Sequence, residues 1–493
     1  MTRHAPASPA SDAGPAVSAG PLACGAGPAA DRPGLTGADT RLGGALRGAV
    51  PLAAAGLMAN VANLGVTLVI ARQMSTRSYG AVAQLIAVFF VVSMPGSALL
   101  VGVVRRVTIW QHAGRHDLLD GWVRRIRRAG VATVLVVAVL AVAGRGTVAH
   151  ELSLPGSGGI AEIIIAGAAW CLLCIDRGLL QCARLYGALA TNLLVDATIK
   201  TAVTIGLVLA GLAETGAALG VLCGVCAALL HTRRALARHP QALGITRPDG
   251  PASPVDDPGT PGPAPPAVDP GPAPVAGVPS RRLAVEVGAA LVALGLLAVL
   301  QNVDVLMQGR LAPGRSGSYA AVSVASKVLV LAAVVLAGFL LPEAADRRHL
   351  GQHALHQLGA TIAILLVPAA GLLTAALVAP DTLLALAFGP RFTDASGALF
   401  PLAAAMTCLG ATVLFTHYLL ALGERGVLLA LGLAVAVTVP LLWWADGDPA
   451  ATARADLACQ AVLAVVTGLS VLAAARRTAR QSTGRPTGRT VQA

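Results

Sequence analysis

Two lysines stand where an ammonium group is least at home. Of the 36 basic residues in the chain, all but Lys200 and Lys327 are arginine. Lys200 lies in VDATIKTAVT and Lys327 in SVASKVLVLA, both inside apolar segments. Each is roughly 15 Å from the nearest end of its segment at 1.5 Å per residue, beyond what snorkelling recovers. A guanidinium stays charged in that setting, whereas a lysine can lose its proton and regain it. Lysine here therefore suits reversible binding of an anion. Carboxylates in similar places suit coupling to an ion: Asp196 one turn before Lys200, Asp304, and Asp176 beside Arg177. Asn60, Asn63, Asn192, Gln301, Asn302 and His417 add hydrogen-bonding groups. Each charge also has a structural reading. Asp196 and Lys200 are spaced to neutralise each other along one helix. Asp176 and Arg177 are placed for an interfacial pair. Asp304 is placed to meet Arg310 at an outer rim or to partner Lys327, and His417 to serve as a packing residue.

The elements that must hold these groups are transmembrane helices. The 493 residues are 55% hydrophobic and only 12% charged, with a mean hydropathy of +0.72. Apolar runs of about 20 residues recur along the chain, which is the length that crosses a bilayer. A formal charge of +12 would point a soluble protein toward nucleic acid. Here the arginines gather between spans, so the excess reads as topology and no nucleic-acid partner is expected. Cys171–Cys174 and Cys223–Cys226 have redox or zinc spacing but lie within spans, where cysteine is a small hydrophobe, and no metal or cofactor is expected. The Ala, Gly, Arg and Pro bias with almost no Lys fits a GC-rich bacterial genome and the bacterial cytoplasmic membrane.

Twelve spans are predicted, near 46–70, 79–104, 129–149, 160–183, 189–211, 214–231, 283–308, 317–341, 357–379, 395–421, 426–445 and 456–475. Residues 1–42 read as a disordered tail without a signal-length apolar core, and 477–493 as a polar, basic tail. Residues 240–281 are Pro-rich and read as a flexible linker between bundles at 43–239 and 282–476. The connection RRVTIWQHAGRHDLLDGWVRRIRR, residues 105–128, is densely basic, as are HTRRALAR and EAADRRHLGQHALHQ. They share one side if both termini are cytoplasmic. ARQMSTRS and QGRLAPGRSG carry arginines on the other side. Trp443 and Trp444 end a span as interfacial anchors, and Trp170 is read as packing.

The two halves repeat a plan. ARQMSTRSYGAV and QGRLAPGRSGSYAAV both read Arg, turn residues, Ser-Tyr, a small residue, then Ala-Val, with Tyr79 and Tyr319 equivalent. With four tyrosines in the chain, the coincidence indicates two six-helix bundles related by a pseudo-twofold axis along the membrane normal.

NVDVLMQGRLAPGRSGSYAAVSVASKVL with the following LLPEAADRR resembles the start of the second half of Wzx-like polysaccharide-biosynthesis flippases. These belong to the multidrug/oligosaccharidyl-lipid/polysaccharide exporter superfamily. DRGLLQCARLYGALATNLLVDA, with Asp196, resembles the hairpin of that family's fourth and fifth spans. The resemblance covers about residues 45–475; the long linker departs from it. It implies a V-shaped pair of bundles around a cavity, and movement of undecaprenyl-diphosphate-linked oligosaccharide across the cytoplasmic membrane, with polysaccharide assembly proteins as partners. On that reading Lys200 and Lys327 bind the diphosphate, Asp196 holds Lys200 when the cavity is empty, and Asn60, Asn63 and Asn192 line the site. The alternative is a drug or metabolite exporter driven by an ion gradient, with Asp196, Asp304 or Asp176 as the coupling group. A membrane enzyme of glycan assembly is a further alternative. Against it stand the short outer connections, none of which gathers catalytic groups; the lack of a nucleotide-binding loop argues against an ATP-driven pump.

Overall fold

A computed structural model of the chain describes residues 37–113, 115–239, 280–349 and 355–483. Nearly all of the predicted linker, and the tails at 1–36 and 484–493, lie outside the described residues. The described parts are helical throughout. The first half comprises α1 (Gly37–Gln73), α2 (Thr76–Ser93), α3 (Pro95–His112), α4 (His116–Glu151), α5 (Ile160–Cys182), α6 (Tyr186–Leu207) and α7 (Ala213–Arg238). The second comprises α8 (Ser280–Leu311), α9 (Ser316–His349), α10 (Leu355–Val378), α11 (Pro380–Ala387), α12 (Leu399–Ala421), α13 (Gly426–Trp444) and α14 (Pro449–Thr483).

Local sequence explains the boundaries. Ser75 caps α2, its Oγ accepting from Ser78 N at 3.2 Å. Pro95 sits at the first position of α3, where its missing N–H costs nothing, so α2 and α3 continue as one crossing. The apolar stretch Tyr186–Arg238 is 53 residues long and folds back on itself. A π-turn at Val208–Leu212, with Gly211 at φ 89° and Ala213 at φ 38°, reverses the chain. Gly220 then packs on Thr204 and Gly224 on Lys200, an antiparallel hairpin made possible by small residues. Counted this way, the described residues make twelve crossings.

The repeat is visible in the packing. In each half the first crossing lies on the fifth (α1 on α6, α8 on α13) and the second on the fourth (α2 and α3 on α5, α9 on α12). The fourth lies on the sixth (α5 on α7, α12 on α14), and the third also lies on the fourth (α4 on α5, α10 on α12). The fourth crossing is thus the buried centre of each lobe.

Three expectations change. Residues 105–128 are not a loop: α3 runs to His112 and α4 starts at His116. Trp110 and Trp122 meet edge to face at 5.5 Å, and the Arg106 guanidinium lies 4.7 Å from the Trp110 ring. Arginine stems and paired indoles give these helix ends enough apolar contact to continue past the bilayer. Helix α1 reaches back to Gly37, inside the region read as tail, and α14 runs on to Thr483. The connection after α10 is itself structured, as α11 followed by a 3₁₀ run at Pro390–Ala398.

Candidate functional site

The second lobe encloses a charged cluster on three helices. Asp304 on α8 is fully buried. Its Oδ2 accepts from Tyr319 OH at 3.1 Å and from Ser323 Oγ at 3.5 Å, both on α9. Lys327 Nζ lies 3.8 Å from Asp304 Oδ1 and donates to Asn302 Oδ1 at 3.3 Å. Asp456 on α14 is also fully buried, and its Oδ1 accepts from Gln460 Nε2 at 3.2 Å. Three oxygens here have no hydrogen-bond partner: Asp304 Oδ1, Asp456 Oδ2 and Gln460 Oε1. The Lys327 ammonium thus pairs with Asp304, and Asp456 lies within electrostatic reach of both, with three acceptor oxygens left over.

Asp304 does not meet Arg310. That arginine pairs with Glu151 across the lobes at 2.5 Å and lies 5.5 Å from the Trp443 ring. The aspartate belongs to the face of α8 that packs on α9, whereas Arg310 sits in the last turn. Neither Asp456 nor Gln460 stands out in the sequence: Asp456 closes ADGDPAATARAD, which reads as an outer connection, and Gln460 lies one turn into the predicted span 456–475. Asp448 caps α14, its Oδ2 accepting from Ala451 N at 2.8 Å, with Pro449 at the first position. An Asp-Pro start puts Asp456 two turns inside the helix.

The first lobe has its own network. Asp176, fully buried, accepts from Arg127 Nε at 2.7 Å and Arg233 Nε at 3.4 Å. Arg177 turns away from it. Its Nε donates to Asn192 Oδ1 at 2.7 Å, its Nη2 lies 3.4 Å from Asp196 Oδ2, and its guanidinium lies 4.7 Å from the Trp170 ring. Asn192 Nδ2 donates to Ala228 O at 2.7 Å and Thr232 Oγ1 at 2.8 Å. So Asp176 and Arg177 are not an interfacial pair. Successive residues on a helix point about 100° apart, and packing sends these two to different neighbours.

Asp196 likewise engages Arg177 rather than Lys200. Among the described residues no carboxylate oxygen comes within 4.0 Å of the Lys200 ammonium. Asn60 is exposed on α1 and Asn63 half-buried; neither joins a cluster. His417 Nδ1 meets Val413 O at 2.8 Å, one turn back on its own helix. The two lysines sit in different lobes, each in its own surroundings.

A third feature closes one end of the molecule. At the α1–α2 and α8–α9 hairpins the lobes touch backbone to backbone. A Cβ on Gly317 would lie 1.8 Å from Thr76 O, one on Gly80 2.1 Å from Ser316 Oγ, and one on Gly309 1.7 Å from Gln84 Nε2. Arg391 donates to Met74 O at 3.1 Å and Arg72 O at 2.8 Å, and Arg72 donates to Leu386 O at 2.7 Å. Tyr79 packs its ring on Phe392 at 5.3 Å and Phe388 at 6.4 Å. Toward the other end the extensive lobe–lobe contact among the described residues is that of α3 with α8, as at Gly102 and Val287.

No family profile matches this sequence, and no curated protein matches it either. Solved structures do. The chain is similar to a multidrug resistance MATE family transporter of the MOP superfamily in an inward-facing conformation, at 12% identity, over 89% of this chain and 99% of that one, with a TM-score of 0.67. Against an outward-facing conformation of such a transporter the TM-score is 0.57, at 13% identity over 87% and 94% of the two chains. A MOP superfamily transporter from Pyrococcus furiosus, described as having a binding pocket of reverse polarity, gives 0.56 at 13% identity over 87% and 94%. At these identities the likeness establishes the fold: a two-lobed, all-helical, MATE-like membrane architecture.

Proposed function

We propose that the chain is an ion-coupled exporter of the bacterial cytoplasmic membrane that works by alternating access between its two lobes. One observation carries the reading: Asp304 and Asp456, both fully buried, lie in one cluster whose ammonium, Lys327, pairs with Asp304. Buried charges in membrane helices are expensive and mark ion or substrate pathways. With both carboxylates ionised, the cluster has one negative charge more than Lys327 neutralises, and a proton or a monovalent cation completes it. Occupation would pull α14 toward α8 and α9; release would loosen that packing. The coupled solute then crosses between the lobes, since only a ligand that binds the two conformations unequally shifts their balance. The sealed hairpin end and the higher TM-score to an inward-facing transporter support a resting state open to the cytoplasm.

The test is dye transport in proteoliposomes under an imposed proton or sodium gradient. Asp456→Asn and Asp304→Asn should each remove gradient-driven transport while dye binding persists. Wild-type transport rates in both variants would end the coupling role.

A second reading, movement of a lipid-linked oligosaccharide diphosphate, draws on Lys200, whose ammonium has no carboxylate partner among the described residues. It predicts that Lys200→Gln blocks flipping of a fluorescent polyprenyl-diphosphate sugar and leaves dye transport intact. The exporter reading predicts no flipping by either protein.

A further inference from the structure

A cleft of about 360 Å³ opens between α6 and α7 near the end of α7. Val195 and Ile199 form its α6 wall, one turn apart, with Leu230 opposite. His231, Arg234 and Arg238 line it from α7, at spacings that put them on one face of that helix. This face differs from the one that serves the first-lobe network: Thr232 and Arg233, between these residues, turn inward to Asn192 and Asp176. Arg234 and Arg238 are exposed and, among the described residues, have no carboxylate within 4.0 Å. His231 Nδ1 is shut off from solvent without a hydrogen-bond partner. The cleft is thus basic at one end, apolar along its length, and unneutralised.

We propose that this cleft binds an anionic membrane phospholipid, with Arg234, Arg238 and His231 holding the headgroup phosphate and Val195, Ile199 and Leu230 flanking an acyl chain. Charge complementarity names the occupant. Basic pockets between transmembrane helices at the bilayer surface are where phosphate headgroups lodge. Arginine donates bidentately to phosphate. A soluble anion would use the basic end and leave the apolar wall idle; a neutral lipid would do the reverse. Arginines that served only topology would need no apolar-walled cleft beside them. The site is independent of what the lobes transport and of which leaflet it meets.

The test uses purified full-length protein in detergent, with bound lipid counted by native mass spectrometry. Wild type should retain phosphatidylglycerol over phosphatidylcholine by about tenfold or more. R234Q/R238Q should lose that preference, and H231A should weaken it. Both arginines are exposed, so folding should survive, and size-exclusion chromatography confirms it. Arg425→Gln, an exposed arginine in the turn between α12 and α13, should keep the preference. Three results would each overturn the proposal: a wild-type preference in R234Q/R238Q, an equal loss in Arg425→Gln, or displacement of phosphatidylglycerol from wild type by millimolar inorganic phosphate.

Discussion

Lys327 is held by its surroundings more firmly than a free binding group would be. It contacts Asp304 and Asn302, and Asp304 is fixed in turn by Tyr319 and Ser323. Replacing it by Met therefore does more than remove a ligand for an anion. It leaves two buried carboxylates in one cluster with no cation, and stranding one member of a buried pair is destabilising by about 3 kcal/mol. Lys327→Met should unfold at a lower temperature in detergent, and adding Asp304→Asn should recover most of the loss. Absence of any such coupling between the two substitutions would mean that the ion pair is not a structural unit. Lys200 stands differently. Its partner by spacing, Asp196, is engaged by Arg177, so the sequence expectation of a local neutral pair does not describe it.

At the scale of elements, the α6–α7 hairpin sets where both Lys200 and the lipid cleft lie. It depends on glycines at the seam. A Cβ on Gly220 would fall 2.0 Å from Thr204 Oγ1 and 2.8 Å from backbone atoms of the same residue. Gly220→Val should push the helices apart and destabilise the protein by about 1–3 kcal/mol, the usual range for overpacking. Gly206→Ala, on the partner helix α6 with nothing within 4 Å, is the control and should be neutral in thermal unfolding. Equal effects from both would place the sensitivity in loss of glycine anywhere in the hairpin rather than at the seam.

For the whole molecule, the proposed alternating access makes the hairpin end a gate whose closure needs Gly317. Its Cα lies so close to Thr76 O that a methyl group cannot enter without backbone movement. Gly317→Ala should bias the lobes toward opening at that end. On a cysteine-free background, Gln84→Cys should resist an impermeant thiol reagent added outside, and become reactive when Gly317→Ala is added. Unchanged protection would show that the seal does not depend on this contact. Orientation is tested the same way. With both termini cytoplasmic, a cysteine at position 115 should react from the inside only, and reaction with the outside reagent would invert the topology.

The membrane class, the twelve crossings and the doubled plan are legible in the sequence because they rest on local information. A run of about 20 apolar residues is a span whatever it packs against, and Tyr79 and Tyr319 mark equivalent turns by their neighbours alone. What the charges touch is another matter. Spans such as α12 and α13 are apolar around most of their circumference, so no polar face announces which side turns inward. Rotation about the helix axis is then set by ridge-and-groove packing and by close approach at glycines such as Gly220 and Gly224. A single residue's step in that rotation sends Asp176 to Arg127 and Arg233, and Arg177 to Asn192 and Asp196. It also brings Asp456, from the far end of the chain, into the same buried cluster as Asp304 and Lys327. Spacing along one helix proposes Lys200 for Asp196; only the packed tertiary structure puts Arg177 there, because in a folded bundle a neighbouring helix can bring a partner closer than the next turn does.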